Sequence, residues 1–301
     1  MSSSRPAFIV DAHLQWDVSD ELFAKYRDLI YREAGIALTD GKKSLLVSRV
    51  AGRLRELGLT TFAQYYRLVE DPASTEERGR LLDRICTNET HFFRDPRQFL
   101  YLNDHVFPKL ESEAEHTGKK RVRAWSAACS TGEEPYSLAM AMLHRFPPSK
   151  GWQVDVVATD LSNKVLAAAH AALWPIDKAD DIPLHYRRQF MLRGTGSQTG
   201  KMKAGPEIRE VVSFSRMNLN APAYSVSGMF DFIFCRNVLI YFDRESKAKV
   251  VERLMTHLAP DGCLFLGYAE TTTTITDRLV GIGPNVYARV PEVSAQAVAV
   301  S

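Results

Sequence analysis

Cysteine is scarce and scattered. The chain has four in 301 residues, Cys86, Cys129, Cys235 and Cys263. No two share a CxxC spacing, which excludes a compact metal knuckle or disulfide framework and predicts buried, reduced thiols. Long hydrophobic runs are also missing. No stretch reaches the roughly 20 apolar residues that a bilayer span requires, and the first residues lack the apolar core of a secretory signal. A cytoplasmic chain with no membrane insertion is therefore expected. A strong charge excess is absent too: 38 Lys and Arg stand against 36 Asp and Glu, a net +2, too mild for a nucleic-acid partner. The eight histidines show no HExxH-type spacing, so no metal is expected. What remains is ample apolar content, 45% of the chain, enough to bury one sizeable core or two.

Two patterns divide the chain. Residues 21–34 carry Leu22, Phe23, Tyr26, Leu29, Ile30 and Ala34 at helical spacing, behind the helix-start signals of Asp17 to Ser19. Further helices are predicted from 41 or 42 to 57, over 61–70 and over 74–85. From Arg121 onward, short β-type runs (122–128, 154–159, 211–219, 230–235, 263–267 and 286–290) alternate with helical stretches (134–144, 163–172 and 245–258). That alternation predicts a doubly wound α/β domain whose ligand sits at the carboxyl ends of the strands. Residues 174–210 break it, and Gly194, Gly196 and Gly200 mark a hairpin. An inserted antiparallel β-subdomain is expected there. The domains read as an N-terminal extension (1–17), a helical domain (18–86), a linker (87–95), an α/β domain (96–291) and a disordered tail (292–301).

Chemistry concentrates at the strand ends. The first strand leads into Ser130-Thr131-Gly132-Glu133-Glu134 and a helix start. With only Gly132 present, this does not match the dinucleotide fingerprint G-x-G-x-x-G, and two carboxylates disfavour a phosphate. They suit a cationic ligand such as an amino-acid ammonium; placement of Glu133 and Glu134 against the helix dipole is the equal alternative. Asp160 ends the second strand, 28 positions after Gly132. It is either an acceptor for two ribose hydroxyls or the cap of the next helix. The run Phe234-Cys235-Arg236-Asn237 delivers polar groups to the same edge, followed by Tyr241-Phe242. Upstream, Thr87-Asn88-Glu89-Thr90-His91-Phe92-Phe93-Arg94-Asp95 reads as a lid.

Taken in order with Asn218-Leu219, these segments resemble those of CheR-type methyltransferases over roughly residues 18–290. The resemblance implies a small N-terminal all-helical domain and a Rossmann-like methyltransferase domain carrying the inserted β-subdomain. It also implies transfer of a methyl group from S-adenosylmethionine to glutamate side chains of chemoreceptors, with S-adenosylhomocysteine as product. The implied cofactor site comprises Asn88, Thr90, Arg94, one of Glu133 and Glu134, Asp160, Asn218, Leu219, Arg236 and Asn237. Arg94 and Tyr241 are the candidates for holding the substrate carboxylate and shaping the pocket.

His91 is not expected to act as a base, because a glutamate with a reference pKa near ~4.3 is already ionised at neutral pH. Lys42, Lys43, Arg49, Arg53 and Arg55 cluster on one predicted helix. They suit an acidic receptor helix, or else form a solvated basic face. In some family members the β-subdomain docks a receptor's C-terminal peptide. Two rivals stand: a methyltransferase of this fold with another acceptor, and a non-catalytic module that binds a receptor or senses S-adenosylmethionine.

Overall fold

A computed structural model describes residues 17–270 and 275–290. They divide into two compact units, residues 17–29 with 38–85 and residues 30–37 with those from 86 onward. The expectations for residues 1–16 and 291–301 lie outside the described residues.

The first unit is helical. It contains most of α1 (Asp20–Ala34), a single 3-10 turn, α2 (Lys43–Glu56), α3 (Phe62–Glu70) and α4 (Thr75–Ile85). Each predicted boundary falls within about two residues of these, and capping residues mark the starts of α1 and α3. Ser19 Oγ accepts the Leu22 N–H, and Thr61 with Gln64 forms a capping box. Leu46, Val50, Ala51 and Leu54 bury one face of α2. Tyr26 Oη donates to the Phe62 carbonyl at 2.8 Å inside the core.

The second unit opens, after residues 30–37, with α5 (Pro96–Tyr101), a π-helical turn (Leu102–Val106) and α6 (Phe107–Thr117). No element was expected across these residues, since Pro96, Pro108 and the polar triplet Asn103-Asp104-His105 blur the helical period. Then come β1 (Arg121–Ala127), α7 (Glu133–Arg145), β2 (Gln153–Asp160), α8 (Asn163–Ala171), β3 (Leu173–Pro175), α9 (Leu184–Phe190), β4 (Met191–Arg193), β5 (Lys201–Ala204), α10 (Pro206–Glu210) and β6 (Val212–Arg216). β7 (Phe230–Cys235), α11 (Arg244–His257), β8 (Leu258–Leu266), β9 (Leu279–Gly283) and β10 (Val286–Arg289) complete it.

The main sheet runs β6-β2-β1-β7-β8-β10-β9. The first five strands are parallel, and β10 pairs antiparallel with both β8 and β9. The chain runs outward from β1 through β2 to β6, then returns to β7 on the other side. This reversal beside β1 is the switch point where doubly wound sheets bind ligands. Helix α7 is buried continuously from Glu133 to Leu143, which makes it the central support beneath that crevice. No helix among the described residues is long and apolar enough to cross a membrane.

The glycine-marked hairpin forms. β3, β5 and β4 make a separate antiparallel sheet, and a Cβ at Gly194 would lie 2.0 Å from the Gln198 carbonyl oxygen. β8 begins at Leu258, five residues before its predicted start, because Pro260-Asp261-Gly262 reads as a turn yet is absorbed where the β7–β8 register shifts. None of the four cysteines forms a disulfide. Cys129, Cys235 and Cys263 are buried, and burial pushes the Cys263 thiol up to about 11; Cys86 is partly exposed.

Candidate active site

The carboxyl ends of β1, β2, β6 and β7 enclose a cavity of about 880 Å³, counting its open mouth. It is completed by residues 86–90 with Arg94, and by Ala34 and Ile36. All of these belong to the second unit.

The loop after β1 is tightly wound. Ala128, Ser130 and Gly132 all take left-handed φ values, +73°, +49° and +96°. The Ala128 and Cys129 N–H groups both donate to the Thr159 carbonyl, at 2.8 and 2.9 Å. Gly132 cannot carry a side chain without crowding Ala169 of α8, whose Cβ and Cα would lie 3.0 and 3.1 Å away. Asp160 lines the cavity from the end of β2 and accepts the Ser130 N–H at 2.9 Å and the Ser162 N–H at 3.0 Å. The cap of α8 is Ser162, whose hydroxyl accepts the Val165 N–H, so Asp160 is not the helix cap.

The two glutamates part company. Glu134 lines the cavity, 8% exposed, and accepts Ser126 Oγ and Arg236 Nε, each at 2.7 Å. Glu133 is fully buried and does not line it. Its carboxylate takes the Thr131 hydroxyl at 2.6 Å and the Lys178 ammonium. Lys178 comes from the insertion and supplies the counter-charge that a buried carboxylate requires. Glu133 thus faces the insertion, while Glu134 faces the cavity.

Asn88, Thr90 and Arg94 line the cavity from the 87–95 segment. The Asn88 carbonyl accepts Ser130 Oγ at 2.9 Å, and Arg94 Nη1 donates to the Glu89 carbonyl at 3.1 Å. His91 does not line it; the imidazole is exposed, 3.6 Å from Glu89 and 3.5 Å from Asp181. Asn218 and Leu219 line the opposite wall. The Asn218 amide is occupied by backbone, donating to the Glu33 carbonyl at 2.7 Å and accepting the Asn220 N–H at 2.9 Å.

Arg236 is 6% exposed. Beyond Glu134, it donates to the Arg94 carbonyl at 2.7 Å and to Gln98 Oε1 at 3.0 Å, and it pairs with Asp95 at 3.3 Å. It ties the 94–98 region to α7. Asn237 adopts a left-handed φ of +57°. Its Oδ1 is buried without a donor among the described residues. Tyr241 lines the cavity from the 3-10 turn Leu239–Tyr241.

Glu270 escaped the sequence reading. Only 5% exposed, it accepts the Gly267, Asn237 and Ile240 N–H groups at 2.6, 2.9 and 3.2 Å, and so anchors the turn that carries Asn237 and Tyr241. Its position just beyond the end of β8 was the available signal. Burial pushes its carboxyl above the usual 4.5, against the lowering effect of those N–H groups. Between 4.5 and that raised value the folded state binds more proton than the unfolded state, so the stability present below 4.5 falls as pH rises through the folded value. Glu270→Gln, which cannot titrate, is expected to lack this decline. Urea midpoints across pH 4 to 8 check it, and parallel curves for the two proteins would refute it.

The basic cluster of α2 is largely committed to partners within the first unit. Arg53 grips Glu77 through two nitrogens at 2.7 and 2.8 Å and also reaches Glu56. Arg49 donates to the Ile85 carbonyl, and Lys43 pairs with Asp20 at 2.8 Å. Lys42 and Arg55 remain exposed.

Residues 88–286 match the family model described as CheR methyltransferase, SAM binding domain. The fold and site are those of an S-adenosylmethionine-dependent methyltransferase. Residues 21–86 match the companion CheR methyltransferase, all-alpha domain. The chemotaxis protein methyltransferase of Escherichia coli K12 is 36% identical over 293 residues, covering 96% of this chain and 99% of that protein. Chemotaxis protein methyltransferase 2 of Pseudomonas aeruginosa is 34% identical over 291 residues, covering 95% and 99%. The chain belongs to the CheR methyltransferase family.

Proposed function

We propose that this protein methylates glutamate carboxylates on the helical cytoplasmic part of chemoreceptors and so works in the cytoplasm, tuning receptor adaptation. The observation that carries the reading is the cavity at the switch point, with acceptors at Asp160 and Asn237 and a guanidinium at Arg94. Its lining fits S-adenosylmethionine: the unpaired Asn237 Oδ1 suits an ammonium donor, Asp160 suits ribose hydroxyls, and Leu219 with Met217 and Ile36 suits adenine. Once bound, S-adenosylmethionine supplies a sulfonium methyl group, which a carboxylate oxygen takes by in-line displacement. Because opposite charges are lost in that step, residues that exclude water favour it. Arg94 and Tyr241 orient the acceptor carboxylate, and alignment rather than proton transfer supplies the rate.

Two surfaces suit the receptor. Lys42, just before α2, and Arg55 on α2 are exposed cations for an acidic helix, with Lys43 held only by a surface pair. Edge strand β4, with exposed Leu192 and Arg193, suits addition of a receptor's C-terminal peptide as a further strand. Incubating receptor cytoplasmic fragments with methyl-labelled cofactor tests the function. Base-labile label on glutamates is expected, and its absence across the host's receptors would refute the acceptor. Asp160→Ala is expected to weaken S-adenosylhomocysteine binding by about 1.5 to 3 kcal/mol, read by calorimetric titration. Unchanged affinity in a folded variant would remove the ribose role.

A further inference from the structure

Four consecutive residues of the 87–95 segment rest on the inserted subdomain. The Thr90 carbonyl accepts Lys178 Nζ at 3.4 Å, and His91 lies 3.5 Å from the Asp181 carboxylate. Phe92 meets Trp174 edge-on, ring centres 5.0 Å apart, and Phe93 stacks on Tyr186 at 5.1 Å. Two of these insert residues also reach the loop after β1 and the first residue of α7. Lys178 pairs with buried Glu133, and Trp174 Nε1 donates to the Thr131 carbonyl at 3.3 Å. Neither Lys178 nor Trp174 lines the cavity.

We propose that Lys178, backed by Trp174, is a positioning residue that fixes the spacing between the 87–95 segment and the 128–133 loop, so that the insert sets cofactor affinity from outside the cavity. An ammonium has three donors and no acceptor, which lets one head group hold a carboxylate and a carbonyl together. Glu133 begins α7, and Thr90 is itself part of the cavity wall. The 87–95 segment needs such support. Phe93 and Asp95 hold left-handed φ values of +49° and +58°, and strained backbone persists only where its surroundings over-determine it.

The inference rests on the cavity being the cofactor site, so its test reads cofactor binding and not transfer to a receptor. Full-length wild type, Lys178→Met and the double variant Lys178→Met/Glu133→Gln are titrated with S-adenosylhomocysteine. The double variant leaves no orphaned buried carboxylate and is the one expected to melt close to wild type. A Kd raised about tenfold or more in both variants is expected. In turnover, KM for the cofactor should rise while kcat changes little. Wild-type affinity in folded Lys178→Met would overturn the proposal. So would recovery of affinity in the double variant, since the loss would then come from the uncompensated Glu133. If Asp160→Ala also binds like wild type, the assignment of the cavity falls, and the role of Lys178 falls with it.

Discussion

Arg236→Met is expected to cost the protein about 3 to 5 kcal/mol of stability, the range for removing one partner of a buried ion pair. The guanidinium is almost wholly enclosed, and its nitrogens bond Glu134, the Arg94 carbonyl and Gln98. Methionine fills much of the volume but donates nothing. It would leave the Glu134 carboxylate with Ser126 alone, and the Arg94 carbonyl and Gln98 without their shared donor. The double variant Arg236→Met/Glu134→Gln separates the two consequences. Neutralising Glu134 should recover much of the stability, because the uncompensated charge is gone, while cofactor affinity stays low because nothing ties residues 94–98 to α7. Urea denaturation followed by tryptophan fluorescence measures the first effect and calorimetry the second. A single variant within about 1 kcal/mol of wild type would show that Arg236 is replaceable packing.

The second large effect is on catalysis. Arg94→Ala should lower single-turnover methylation at least about thirtyfold, the lower end for truncating one side of a desolvated charge pair, whereas His91→Gln should retain most of it. Arg94 lines the cavity with one donor engaged by the Glu89 carbonyl, leaving others for a carboxylate. His91 points elsewhere, among exposed carboxylates. The acceptor glutamate is ionised before it binds, so no proton need be removed. Rates measured at saturating cofactor from about pH 6 to 9 should be flat in wild type. A base with the histidine reference pKa near ~6.5 would impose an acid limb. Such a limb, lost together with activity in His91→Gln, would refute transfer by alignment alone.

The helical period, the caps and the β-type runs made the architecture legible before any coordinates. Thr61 and Ser19 announce their helices, and β7 with the last residues of β8 is close to continuously apolar because both faces are buried. The site was less legible. Glu133 and Glu134 are adjacent and chemically identical, and only the fold reveals that one faces Lys178 and the other the cavity. The pairing of Arg53 was illegible because its partner, Glu77, lies 24 residues away on another helix. Glu270 stayed hidden since its partners are backbone N–H groups, which no residue type betrays. Ala128 and Ser130 occupy left-handed positions where sequence alone would expect glycine.

That last choice bears on when the loop after β1 becomes ordered. A left-handed alanine or serine costs the folded chain roughly 1 to 2 kcal/mol per residue at all times. Glycine would relieve that strain but leave more freedom to be lost on ordering. With Ala128 and Ser130 pinned to Thr159 and Asp160, the folded protein bears the conformational penalty before any ligand arrives. On the proposed assignment of the cavity, cofactor association then need not freeze this wall.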